Sequence, residues 1–223
     1  MQVCFDKSKF NKNLMNEGYS FNTHVLKNLY ICLSLNFNGG VIFKWYRDNL
    51  GFEEKIKADQ LNIEVYGMIM DSVKDSNYPV LFLPYFEGAQ TPWKDPLASG
   101  TILGITLRTK KEDIIRGIME GITFDLRLNL KKIHESGINI DAIRVTGGGA
   151  RSETWLQLKA DITGKIIHKL DIDEAGCMSA AVLAGYGAGD FNSVADIINN
   201  WVKIIKEYRP DIEKYKNYEH RYM

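Results

Sequence analysis

Apolar positions along the chain fall into blocks of two kinds: short continuous runs suited to buried strands, and longer stretches with apolar residues every three or four positions, as on one face of a helix. Residues 1–22 follow neither pattern. They are polar and rich in lysine and asparagine, so an irregular lead-in through residue 27 is expected. Residues 29–35 (Leu-Tyr-Ile-Cys-Leu-Ser-Leu) form a continuous apolar run, and Gly39-Gly40 then turns the chain into a short helix over 41–50, stopped by Gly51. Leu61, Val65, Met68, Ile69 and Val73 recur at helical spacing and predict a second amphipathic helix. Residues 80–83 before Pro84 read as a compact strand. From 84 to 100, Gly88, Pro92, Trp93 and Pro96 interrupt any period. The expectation there is a long structured loop, either functional or a surface Ω-loop that packs Trp93 on the core.

Thr109-Lys110-Lys111-Glu112 has the form of a capping box, and Ile115, Ile118, Met119, Ile122 and Leu126 follow it at three- and four-residue steps. A long helix is predicted, ending near Ser136-Gly137, with a strand over 140–146 behind it. Trp155, Leu158 and Ile162 share a face of the next helix, which Gly164 closes, and 165–170 reads as another strand. Residues 174–185 make a helix almost bare of large side chains, suited either to tight core packing or to lying against the glycine run and shaping a cleft. A helix over 193–206 is expected from Val194, Ile197, Ile198, Trp201 and Ile205. A last one begins at Tyr208-Arg209-Pro210-Asp211, with Ile212, Tyr215, Tyr218 and Tyr222 on one stripe; that stripe reads as a packed face rather than a platform for stacking bases.

Between the strand at 140–146 and the helix that follows stands Thr146-Gly147-Gly148-Gly149-Ala150-Arg151-Ser152. Glycines there permit positive φ and leave no Cβ in the way, so backbone N–H groups can turn toward an anion at the positive end of a helix. No Gly-Lys-Ser/Thr follows, as a P-loop requires, and the spacing is not G-x-G-x-x-G. A tight turn without a ligand accounts for the glycines equally well at this point.

The 45% hydrophobic content of the 223 residues suffices for a sizeable core. Lys plus Arg and Asp plus Glu both number 28, so no net charge draws in nucleic acid or an anionic membrane. Cys4, Cys32 and Cys177 form no C-x-x-C pair, which suits a reducing compartment, the cytoplasm by default. No apolar run approaches the ~18 residues of a membrane span. The four histidines are scattered and lack metal-ligand spacing.

Several stretches, in order, resemble the C-terminal domain of the FGGY family of carbohydrate kinases, and within it the xylulose-kinase-like members. They are Leu83-Pro84-Tyr85-Phe86-Glu87-Gly88 with Thr91-Pro92 and Asp95-Pro96; Gly100-Thr101-Ile102-Leu103-Gly104-Ile105; Arg116-Gly117-Ile118-Met119-Glu120-Gly121; the glycine run with Trp155; Ala160-Asp161-Ile162-Thr163-Gly164; and Glu174-Ala175 before the small-residue helix. The resemblance covers roughly residue 28 to the end. It implies an α/β fold of actin-like ATPase (RNase-H-like) type, the chain being one C-terminal domain over 1–223 whose N-terminal sugar-binding partner is absent. It also implies ATP or ADP along Gly147, Gly148, Gly149, Ala150 and Ser152, with Mg²⁺ in the full-length parent, and a sugar or polyol acceptor, xylulose-like. The family's Gly-Glu-Arg-Thr-Pro stands here as Gly88-Ala89-Gln90-Thr91-Pro92, and neither an Asp-x-Gly-Thr phosphate loop nor a Gly-Asp base motif is found. Gly189-Asp190 is followed by Phe191, where the family has an ordinary turn. The chain is therefore expected to hold a nucleotide but no catalytic residue. A stand-alone nucleotide-binding or homodimerisation module is the alternative, and an NAD-binding domain is disfavoured by the glycine spacing.

Overall fold

The longest apolar stripe becomes a 25-residue helix, α5 (Lys111–Glu135), on which the other elements are assembled. The computed structural model describes residues 1–6, 12–36, 38–73 and 80–223. Ahead of α5 come β1 (Gln2–Asp6), α1 (Lys12–Asn16), β2 (Ser20–Thr23), β3 (Leu29–Leu33), α2 (Gly39–Asn49), α3 (Phe52–Leu61), α4 (Val65–Asp71), β4 (Leu81–Leu83) and β5 (Thr101–Leu103). After it come β6 (Ala142–Val145), α6 (Glu153–Thr163), β7 (Ile166–Leu170), α7 (Ala175–Ala188), α8 (Val194–Trp201), β8 (Ile204–Tyr208) and α9 (Ile212–Tyr222).

Two glycines let α5 lie against β4. A Cβ on Gly121 would stand 2.2 Å from the Phe82 carbonyl oxygen, and one on Gly117 3.1 Å from that of Val80. Around this contact Ile42, Phe43, Ile69, Phe82, Ile115, Ile118, Met119, Trp155 and Ile162 form the main core. The far end of α5 carries Ile133 into a second cluster with Phe5, Tyr19 and Cys32, and Gly137 (φ +89°) turns the chain toward β6. Tyr218 of α9 closes the main core, its hydroxyl donating to Glu120 Oε1 at 2.9 Å. Glu120 is buried and also pairs with Arg116 (2.7 Å) and Arg221 (2.6 Å), so its charge is compensated from two sides.

Several sequence expectations need correction. The lead-in is not irregular: β1 and β2 flank β3 in an antiparallel sheet, with Cys4 opposite Ile31 and Phe21 opposite Cys32. Two apolar residues in β1, Val3 and Phe5, sustain it by packing on α5, a tertiary contact the local composition hides; residues 7–11 of the lead-in lie outside the described residues. The helix expected over 61–73 divides into α3 and α4 at Asn62, which adopts φ +52°. The capping box sits one residue later, the Lys110 N–H donating to Asp113 Oδ2 at 2.9 Å. The helix over 193–206 stops at Trp201, and β8 pairs antiparallel with β7, placing Tyr208 opposite Ile167. Pairing with an open strand edge outweighs the helical period there. Trp93 is 57% exposed rather than packed on the core, and of α7 only Val182 is buried.

The strands β6, β7 and β8 form a second three-stranded sheet, β6 parallel to β7. Among the described residues β1 and β6 are both edge strands, and they border one cavity of about 900 Å³.

Two outcomes follow from this packing. Gly121→Ala should destabilise the fold by about 1–3 kcal/mol or more, because the added methyl meets a backbone oxygen that cannot swing away; a lower denaturation midpoint with unchanged m-value checks this. Burial pushes the Asp125 carboxyl up to about 6, against the opposing hydrogen bond from Asn36. A folded pKa above the unfolded one means that the group favours folding at low pH and that this contribution is lost as pH rises through about 6. Asp125→Asn should therefore be about 1–3 kcal/mol more stable than the parent at pH 8 and lose that advantage at pH 4–5, as urea unfolding at both pH values would show.

Candidate functional site: the groove at the glycine turn

Strand β6 delivers the chain to Gly147, whose φ of +77° bends it into a single 3-10 turn over Gly148–Ala150. Ser152 then caps α6, its Oγ accepting from the Trp155 N–H at 3.2 Å and donating to Asp71 Oδ1 at 2.9 Å. The turn is seated by Trp155, whose ring lies 5.1 Å from that of Phe43 and whose Nε1 donates to Thr123 Oγ1 at 3.1 Å.

Gly148 and Gly149 form one wall of a groove of about 670 Å³, within the ~300–1,000 Å³ typical of small-molecule sites. Across from them stand Gly39 and Gly40, the first residues of α2. That helix has no side-chain cap, because the Asn38 amide is used elsewhere: it accepts from the Glu87 N–H at 2.9 Å and donates to the Gly88 carbonyl at 2.9 Å. The uncapped N-terminus of α2 and the bare backbone of the 148–150 turn therefore border the same space, and the first N–H groups of α2 have no intrahelical partner. Phe43, Met70 and Trp155 give the groove an apolar floor, and Lys44 and Arg151 place cations at its rim. Glu64 also borders it, but its carboxylate caps α4, accepting from the Tyr66 and Gly67 N–H groups at 3.0 and 2.7 Å.

Of the residues expected to follow a nucleotide, Gly148 and Gly149 line the groove. Gly147 precedes it as the bend, and Ala150 and Ser152 are buried behind it. No residue of α7 lines the groove, so the reading of that helix as a cleft wall is not met. Sequence reasoning missed Gly39, Gly40, Lys44, Tyr66 and Arg151. The Gly39-Gly40 pair was visible, but only the fold shows that it opens a helix beside the second glycine run.

The family described as the FGGY family of carbohydrate kinases, C-terminal domain, matches residues 9–188. This chain belongs to that family. The match begins well before residue 28 and takes in β2 and β3 of the N-terminal sheet, while β1 lies ahead of it. A xylulose kinase of Staphylococcus epidermidis is 31% identical over 199 residues, covering 89% of this chain and 39% of the relative. A glycerol kinase of Saccharolobus islandicus is 35% identical over 181 residues, covering 81% and 34%. Among solved structures, xylulose kinase from Lactobacillus acidophilus superposes with a TM-score of 0.75 at 23% identity, covering 99% of this chain and 43% of that one. Plasmodium falciparum glycerol kinase with ADP does so at 0.75 and 22%, covering 92% and 41%. The fold is thus the actin-like ATPase fold of the C-terminal half of these kinases. The chain spans less than half the length of the relatives named. Among the described residues no helix is long and apolar enough to cross a membrane, and no three His, Cys, Asp or Glu side chains group as a metal site.

Ser152 supports the FGGY glycine turn through two hydrogen bonds while buried. Ser152→Ala should cost about 0.5–2 kcal/mol through loss of the N-cap, measurable as a lower urea midpoint.

Proposed function

We propose that this FGGY domain binds an adenine nucleotide, ATP or ADP, in the groove between the 147–149 turn and the start of α2, and that it supplies the donor side of a carbohydrate kinase. The observation that carries this reading is the bare backbone on both walls: a Cβ built on Gly39, Gly40, Gly147 or Gly148 meets nothing within 4 Å. Glycines that no packing requires, at the start of α2 and in the turn ahead of α6, suit the close approach of phosphates to N–H groups. The apolar floor of Phe43, Met70 and Trp155 suits a purine. Ala150 and Ser152 serve this site by seating the turn and capping α6, and Mg²⁺ would accompany the phosphates of ATP in the parent protein.

The parent reaction is the transfer of the γ-phosphoryl group to a hydroxyl of a sugar or polyol, xylulose-like by the relatives named. Such a transfer needs an oriented base and a phosphate clamp in line with the acceptor. The domain offers a cradle for the donor and lacks the Gly-Asp and Asp-x-Gly-Thr motifs; an N-terminal domain provides the base, the clamp and the sugar pocket. Leu81, Leu83, Leu103, Ile105 and Leu107 are exposed, an apolar face that suits contact with that second domain or with another copy of the chain. Three free cysteines accord with a cytoplasmic location.

Gly148→Val is the direct test. The new side chain enters open space, so the fold should keep its stability, yet it occupies the path of a phosphate. Calorimetry should show ADP binding by the chain and its loss in the variant; equal binding by both would remove the turn from the site. In a coupled ADP-release assay over pentoses, ketoses and polyols, the full-length parent should turn over and this chain alone should not. Sugar-dependent turnover by the chain alone would refute the division of labour.

A further inference from the structure

Lys159 lies in the second turn of α6, buried, with no ion pair among the described residues. Its Nζ donates to the Gly149 carbonyl oxygen at 3.0 Å and sits 3.9 Å from the centroid of the Trp155 ring. The backbone rests directly on this pair, since a Cβ on Gly149 would stand 3.4 Å from both the Lys159 Nζ and the Trp155 ring. An unpaired ammonium is costly at such a position, where an apolar side chain would pack without penalty. Among the described residues, the hydrogen bond that its ammonium makes goes to the glycine turn.

We propose that Lys159 is the positioning residue of the glycine turn: from beneath, its ammonium holds the Gly149 carbonyl against the core, keeping the turn's N–H groups free for the groove, and sets a cation under a bound phosphate. The last part rests on the nucleotide reading above; the first does not. Burial, with no charged neighbour contributing, pushes the Lys159 ammonium down to about 7. The charged and titratable groups that share its cavity are Asp141 ahead of β6, Arg144 on β6, His168 on β7, and Cys4 and the Met1 amino group on the β1 side, while α5 presents Leu126; Arg151 lines the groove beyond the turn.

The charged form is the stronger donor to a carbonyl and the form an anion favours. Deprotonation should therefore loosen the turn and weaken nucleotide binding as pH rises through about 7. Stability should move the other way. A folded pKa below the ordinary lysine value means that the group opposes folding at low pH, so the fold gains stability from about pH 7 toward pH 10. A residue that merely fills space would show neither trend.

The test uses the chain labelled with ¹⁵N-glycine and ¹³Cε-lysine, titrated by NMR from pH 5.5 to 9.5. The Gly148 and Gly149 amide resonances should shift with the same midpoint as the Lys159 Cε signal, near pH 7. They should do so equally in His168→Gln, which removes the neighbouring imidazole, and should be flat in Lys159→Met, which leaves the Met1 amino group in place. ADP affinity of the parent, relative to Lys159→Met, should fall roughly tenfold between pH 6.5 and 8.5 if the bound anion shifts the lysine by about one pKa unit. Glycine amides that stay flat in the parent, or titrate unchanged in Lys159→Met, overturn the proposal whether or not ADP binds. Amides that titrate with Lys159 in a chain that binds no ADP at any pH uphold the positioning role and defeat the nucleotide reading instead.

Discussion

Everything in this domain depends on how closely α5 can approach the strand β4. The absence of side chains at Gly117 and Gly121 brings the helix backbone onto the carbonyls of Val80 and Phe82. At that distance the Ile115, Ile118 and Met119 side chains reach the core shared with the facing helices. With its axis placed, α5 carries Thr123 to the indole N–H of Trp155, Asn129 to Thr91 and Tyr19, and Ile133 to the N-terminal sheet. One helix thus joins the main core to the second cluster at its far end.

The glycine turn inherits its rigidity from this arrangement rather than from its own residues. Glycines cost more conformational entropy to order than any other residue, and a run of three would be mobile without support. The support comes from Trp155, held between Phe43 and Thr123, from Ser152, tied to Asp71, and from Lys159 under the Gly149 carbonyl. The opposite wall is treated alike: Asn38 uses its amide to hold Glu87 and Gly88, and so ties the aperiodic segment 84–100 to the helix whose N-terminus it leaves open. Buried side chains do the positioning, and what Gly39-Gly40 and Gly148-Gly149 present to the groove is backbone.

Part of the exposed apolar surface lies on two stretches of the chain. The β4–β5 pair and the segment after it present Leu81, Leu83, Leu103, Ile105 and Leu107 to solvent, and α7 buries only Val182. The named members of the family are more than twice as long as this chain. Among the described residues the small side chains of α7, which suit close approach of another backbone, lie beside α8, with Phe191 against Gly185.

Local chemistry was enough for the elements whose signals are self-contained. The periodic stripe and terminal glycine marked α5, the β-branched run marked β6, and the order strand, glycine run, helix, strand was readable without coordinates because each signal lies within one element. The ordered stretches from residue 83 to 175 likewise pointed to the FGGY family before any geometry was known. What could not be read depended on partners distant in the chain. Strand β1 looks polar and irregular until Phe5 meets Ile133; residues 204–208 look helical until the open edge of β7 captures them; Asn62 looks unremarkable until α3 and α4 must pack at an angle. The second wall of the groove belongs to the same class. Gly39-Gly40 and Gly148-Gly149 are separated by more than a hundred positions, and only the packing of α2 and α6 on α5 sets them across one cavity, because spacing along a chain carries no information about distances that a shared core imposes.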